Sequence, residues 1–138
     1  MGTIKSDNIQ ARTDSTGVQI KAYKETIQSL TSNSGAVAID LSQGNAGTLT
    51  LTENVTVFNF TNVPTSGLGN FTLKITQHAS SAKTVAISCT VNGASAANAK
   101  TAGAGGFTMT TTASRDDILT FLFFDAATPQ ISAIQDLA

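Results

Sequence analysis

The chain predicts an all-β fold: an antiparallel β-sandwich or jelly-roll-like domain over residues 36–138, preceded by an N-terminal arm over residues 1–35. Three observations lead there. From Val37 onward, apolar residues alternate with Thr, Ser and Asn. Side chains on a strand point to opposite faces in turn, so this pattern marks strands with one buried and one wet face. Clusters of turn formers, such as Pro64 with Gly67 and Asn92-Gly93, separate the alternating runs. A nearly continuous apolar run, Ile118 to Phe124, reads as a strand buried on both faces.

The first 35 residues differ from the rest. Their main apolar points are Ile4, Ile9, Val18, Ile20, Ile27 and Leu30, with a turn signal at Asp14-Ser15-Thr16-Gly17. Val18 to Ala22 alternates as a short strand. Tyr23, Ile27 and Leu30 recur at helical spacing, but eight residues without a clear cap make a marginal helix. Thr31 to Gly35 reads as a hinge. Such a segment buries little alone, so it is an arm that docks on something or a loose tail. Ile4, Ile9, Val18 and Ile20 are its candidate docking residues.

In the β region, Val37, Ile39 and Leu41 alternate, and Ser42 to Gly47 is a loop. Leu49 to Phe60 follows as strand. Its apolar phase shifts between Val55/Val57 and Phe58/Phe60, which predicts a bulge near Val57-Phe58. Phe71, Leu73 and Ile75 form a strand ending at Gln77, and Val85, Ile87, Cys89 and Val91 another. Asn92-Gly93 is a turn signal. Ala94 to Gly106 is low in complexity and reads as an exposed, mobile loop. Phe107 and Met109 alternate, and Ile131 and Ile134 close the domain. All seven Phe fall on strands and are core by default. Phe60, Phe71, Leu73, Ile75, Phe121 and Phe123 are the core candidates.

Several of these residues carry a resemblance. Asn54, Thr56, Phe60, Asn62, Pro64, Gly67, Asn70 to Leu73, Gln77, Thr84 and Val85 follow an order: N-x-T, an F-x-N-x-P turn, a G-x-x-G-x-F-T-L strand ending in Gln, then T-V. Asp117 to Phe121 adds D-x-L-T-F. This pattern resembles the β domain of bacteriophage virion structural proteins, of the tail-fibre, head-fibre and capsid-decoration type, over about residues 37–134. That family often has Trp after the T-V pair and W-Y near its end. Here Ile87-Ser88-Cys89 and Ile131-Ser132-Ala133 stand in those places, and the chain has no Trp.

Site chemistry is sparse. His78 is the single histidine and follows a strand, with no second His, Cys or carboxylate cluster at metal-ligand spacing. Arg115-Asp116-Asp117 precedes a buried strand, where a solvated turn is the ordinary reading. The glycines at 67–69 and 103–106 open no helix and so lack the phosphate-cradling context. The N-x-Thr sequons at Asn54, Asn59 and Asn70 read as strand and turn residues. Cys89 reads as a small buried apolar residue. No catalytic residue, metal or cofactor is expected. A net charge of −1 supplies no basic surface for nucleic acid, and no run reaches the roughly 18 apolar residues of a membrane span.

Charge is scarce as well as balanced. Charged residues make up 12% of the chain, against about 25% in ordinary soluble domains. Seven of the seventeen lie in the first 25 residues. Burying Thr or Asn against a neighbour costs less than burying Lys or Glu, so self-association is expected over a monomer made soluble by hydroxyls and amides. The resemblance implies a virion location. One compact β domain with a short arm suits a capsid decoration (cement) protein, a homotrimer on the major capsid protein or another virion protein. A short head or tail fibre recognising a host surface is the alternative.

Overall fold

A computed structural model describes residues 25–95, 97–101 and 107–138. The docking candidates Ile4, Ile9, Val18 and Ile20 lie outside the described residues, as does part of the 94–106 loop. In chain order the strands are β1 (Ile27–Leu30), β2 (Ser32–Asn33), β3 (Ala36–Asp40), β4 (Ala46–Thr50), β5 (Val57–Thr61), β6 (Gly69–Thr76), β7 (Ser88–Val91), β8 (Ala97–Asn98), β9 (Lys100–Thr101), β10 (Asp116–Phe123) and β11 (Gln130–Leu137). They form two sheets, ordered β1-β4-β6-β10-β11-β9 and β2-β3-β5-β7-β8. The all-β, two-sheet class is as the sequence predicts.

The pairing direction is not. Among the described residues five ladders are parallel and four antiparallel. Apart from the β2–β3 hairpin, the chain from β1 to β7 alternates between the sheets, and successive strands of each sheet run parallel: β1, β4 and β6 in the first, β3, β5 and β7 in the second. The result is three stacked coils, with the β10–β11 pair added antiparallel at one edge. Alternation reports that one face is buried and says nothing of the neighbour's direction. Coils that stack on one another leave a wet outer face on parallel strands, as repeat folds do.

Corners between the sheets explain two further departures. The phase shift before Phe58 is a crossing rather than a bulge: β4 ends in the first sheet at Thr50 and β5 starts in the second at Val57. Leu51 and Val55 stay buried on the way, and Val55 bridges Val85 of the next coil. The segment read as a hinge contains a two-residue hairpin turn. Ser34 and Gly35 have φ of 53° and 80°, and β2 pairs with β3 across them. Asn92 and Gly93 repeat that geometry at 50° and 80°, closed by Ala94 N–H donating to the Val91 carbonyl at 3.0 Å. Both central residues of this turn type need positive φ, which Asn and Gly tolerate best. Ile27–Leu30 and Ser32–Asn33, assigned to the arm by sequence, are strands of the two sheets.

The interior is graded along the strands. Toward the start of β6 it is aromatic. Phe60 lies 4.9 Å from Phe121 and 5.0 Å from Phe123 between ring centroids, and Phe58 lies 5.4 Å from Phe121. Tilted and edge-on rings at these spacings add to the burial itself. Phe60, Phe71, Leu73, Ile75, Phe121 and Phe123 are all fully buried. Toward the end of β6 the interior turns polar, with Gln77 and Asp117 fully buried. β10 is not buried on both faces: Asp117, Leu119, Phe121 and Phe123 are buried, while Ile118, Thr120 and Leu122 are only half-buried. Phe124, core by default in the sequence, is exposed, because it lies one residue past Phe123 and faces outward.

Candidate functional site

Several polar residues of the N-x-T to T-V pattern serve as corner ties. Asn54 Oδ1 accepts the Thr84 N–H at 3.0 Å, joining two coils. Thr56 donates its backbone N–H and its hydroxyl to the Gly35 carbonyl, at 2.7 and 3.1 Å. Asn62, in left-handed conformation at φ 56°, donates from Nδ2 to Asp40 Oδ1 at 2.7 Å. Asn92 continues this column of corner side chains. It accepts the Val63 N–H at 3.0 Å and donates to the Val63 carbonyl at 2.9 Å. An amide side chain used this way replaces the backbone partner that a corner removes.

Two buried polar groups anchor the opposite end. Gln77 uses all of its amide: Nε2 donates to the Lys83 and Thr110 carbonyls at 3.0 and 2.8 Å, and Oε1 accepts the His78 and Lys83 N–H groups at 2.8 and 2.9 Å. Asp117 accepts from the Thr110 N–H and hydroxyl at 2.8 and 2.7 Å and from the Asp136 N–H at 2.9 Å. Buried polar groups persist where their bonds are made, and these are. Sequence reasoning passed over both roles. The signal was there: Gln77 is in phase with Phe71, Leu73 and Ile75, and Asp117 with Leu119, Phe121 and Phe123.

The Arg115-Asp116-Asp117 cluster is split three ways. Asp117 points inward as described. Asp116 accepts from the Thr76 hydroxyl at 2.6 Å and pairs with Lys74 at 3.1 Å, and these contacts hold its carboxyl below the usual range, the Thr76 bond foremost. Arg115 lies 3.8 Å from Asp136 in an exposed pair that adds little. His78 Nδ1 accepts the Ser80 and Ser81 N–H groups at 3.1 and 3.2 Å and so closes its own loop. Burial pushes the Cys89 thiol up to about 12, the state of an inert packing residue. Among the described residues no group of three or more His, Cys, Asp or Glu could hold a metal ion, and no helix is long and apolar enough to cross a membrane.

What remains is surface. The outer face of the second sheet consists of Ala36 and Ala38 of β3, Val57 and Asn59 of β5, and Ser88 and Thr90 of β7. Asn59 and Thr90 bond across the strands at 2.8 Å. Among the described residues the only charge on this face is Asp40, at its rim. The outer face of the first sheet carries the Lys74–Asp116 pair among Thr48, Thr50, Thr72 and Thr120. No protein-family model, curated protein or solved structure matches the chain.

Proposed function

We propose that the protein is a non-enzymatic structural component of a bacteriophage virion, a capsid decoration protein that binds the shell as a homo-oligomer, most simply a trimer. The observation that carries this reading is the outer face of the second sheet. The outward-facing residues of β3, β5 and β7 are small and neutral apart from Asp40 at the rim. Small residues admit close approach, and a neutral face avoids the cost of desolvating Lys or Glu. The sequence resemblance supplies the virion setting. The stacked coils supply a rigid body, and the polar residues of the motif are occupied in holding it together. Decoration works by mass action: a protein that binds the assembled shell and not its parts stabilises the assembly.

The test compares particles with and without the protein. Decorated shells should withstand higher temperature than bare ones, and both should adsorb equally to the host. Lost adsorption with unchanged shell stability would instead identify a short fibre. A charge placed on the neutral face, Ala38→Lys, should lower oligomer mass in light scattering without unfolding the chain.

A further inference from the structure

The outer face of the first sheet carries an apolar row among its threonines. Side chains two residues apart on a strand share a face. Asp117, Leu119, Phe121 and Phe123 of β10 are buried, so Ile118, Thr120 and Leu122 form its outward row. Phe124 follows them one residue past the strand. On β11, Ile134 lies directly opposite Ile118 in the ladder and therefore stands beside it on the same face. Phe124 and Ile134 are 63% and 61% exposed. Large apolar side chains grouped in this way and left in water mark a surface that a partner covers.

The layout of the row points to the partner. Ile118 and Ile134 occupy one end, Leu122 and Phe124 the other, with Thr120 between them. Ile118 and Phe124 are six residues apart, roughly 20 Å along the strand. A two-fold axis crossing β10 level with Phe121 exchanges these ends. It sets Phe124 of each copy over the Ile118–Ile134 pair of the other, and Leu122 over Thr120. A face that fits itself under such an axis is what a two-fold contact requires. The charges permit it. Lys74, opposite Ile118 on β6, and Asp116, at the start of β10, already pair with each other at 3.1 Å, so the contact covers a pair at its margin rather than a lone charge. The other ladder neighbours of the row, Asn70, Thr72, Gln130 and Ser132, are neutral. Size permits it as well. β6, β10 and β11 have eight residues each and β4 has five. At the usual strand rise and spacing they cover roughly 500 Å² per copy, so a pair buries about 1,000 Å², the lower bound of a specific interface.

We propose that the outer face of the first sheet, centred on β10, is a self-association surface through which two copies of the chain pack face to face about a two-fold axis. Its modest area makes the dimer reversible. The neutral face of the second sheet lies on the opposite side of the sandwich, so the two contacts do not compete. This one stands whether or not the protein belongs to a virion.

The experiment is sedimentation equilibrium on the full chain carrying Ala38→Lys, which keeps the second sheet's face out of the result. Between about 1 μM and 1 mM the weight-average mass climbs from one chain towards two. Adding Ile134→Lys holds it at one chain throughout, while amide signals away from β10 and β11 keep their positions. The arrangement is read by cross-linking. Chains with Phe124→Cys mixed with chains with Ile134→Cys join through a bismaleimide spanning about 10 Å, the usual separation of packed sheets, in excess over either like pair. Cys89 is buried and stays unlabelled. A mass of one chain at every concentration would overturn the proposal, as would a larger mass that Ile134→Lys leaves unchanged. Like pairs joined as readily as mixed ones would overturn the two-fold arrangement. The mass lost between the unaltered chain and Ala38→Lys reports separately on the second sheet's face, so one contact can fail without the other.

Discussion

The two ends of this molecule solve the same problem with opposite chemistry. Both must turn the chain between two sheets and close the interior. At the end where β6 begins, the closure is aromatic: Phe60, Phe71, Phe121 and Phe123 fill the space, and the polar ties, Asn62 and Asn92, sit outside on the corner. At the other end the closure is polar. Gln77 and Asp117 replace apolar side chains at interior positions and bind the loops at residues 78–83 and 107–115 to the sheet. The contrast teaches where each kind of closure is usable. Short corners such as Leu41–Gly44 bring apolar side chains to the core directly. Longer excursions leave backbone groups stranded inside, and only a buried amide or carboxylate can reach them.

If the aromatic end dominates stability, Phe121→Ala should be the costliest single change. It removes the ring that touches both Phe58 and Phe60 and leaves a cavity the stacked coils cannot close. The loss should be about 3–5 kcal/mol, read from the denaturant midpoint. Cys89 offers a second readout, since its buried thiol with a pKa near 12 is alkylated only after the coil opens. A loss below that of a polar-clasp variant would reverse the comparison.

The aromatic end was largely legible in the sequence and the polar end was not. Alternation at Phe71, Leu73 and Ile75 gives strand, face and burial together, since one face of a strand needs only a period of two. The same logic extended one step would have placed Gln77 inside, but a Gln at a strand end is read as solvated unless its partners are known, and those partners are six and thirty-three residues away. Strand direction was illegible for a related reason: Val37 pairs beside Phe58, and Phe58 beside Cys89, at separations that no local pattern encodes. The exposure of Phe124 was hidden by treating every Phe as core. Phe124 follows Phe123 and must face the other way. Tyr23, Ile27 and Leu30 recur at helical spacing, yet the neighbour β4 decides for strand over Ile27–Leu30.

The polar end can be tested at its centre. Gln77→Leu keeps the volume and removes the amide, leaving the His78 and Lys83 N–H groups and the Lys83 and Thr110 carbonyls without a partner. Unsatisfied buried groups cost about 1–3 kcal/mol each where water cannot reach them, and water can reach part of this loop. A net loss of about 2–3 kcal/mol is expected, with faster amide exchange confined to residues 78–83 and 110. Unchanged exchange there would show that the loop holds without its clasp.

The smallest expected effect concerns acid. Asp40 and Asp125 at the aromatic end and Asp116 at the polar end all have carboxyl pKa values lowered from the ordinary 3.8. The foremost causes are the Asn62 amide for Asp40, the Thr128 N–H for Asp125 and the Thr76 hydroxyl for Asp116. A carboxylate favoured in the folded state contributes its full stabilisation above the unfolded pKa near 4, and the contribution fades as pH falls through the lower folded value. Stability should therefore be flat with respect to these groups from neutral pH to about 5 and decline below about 4. All three are exposed enough for solvent to screen them, so the decline should be shallow. Asn62→Ala removes the main partner of Asp40 and should raise that one carboxyl toward its ordinary value, leaving Asp116 unmoved, as carboxyl carbon shifts followed through an acid titration would register. Joint movement of the two would mean that the ends are electrically coupled through the sheet, and the division between an aromatic and a polar end would then be one of packing alone.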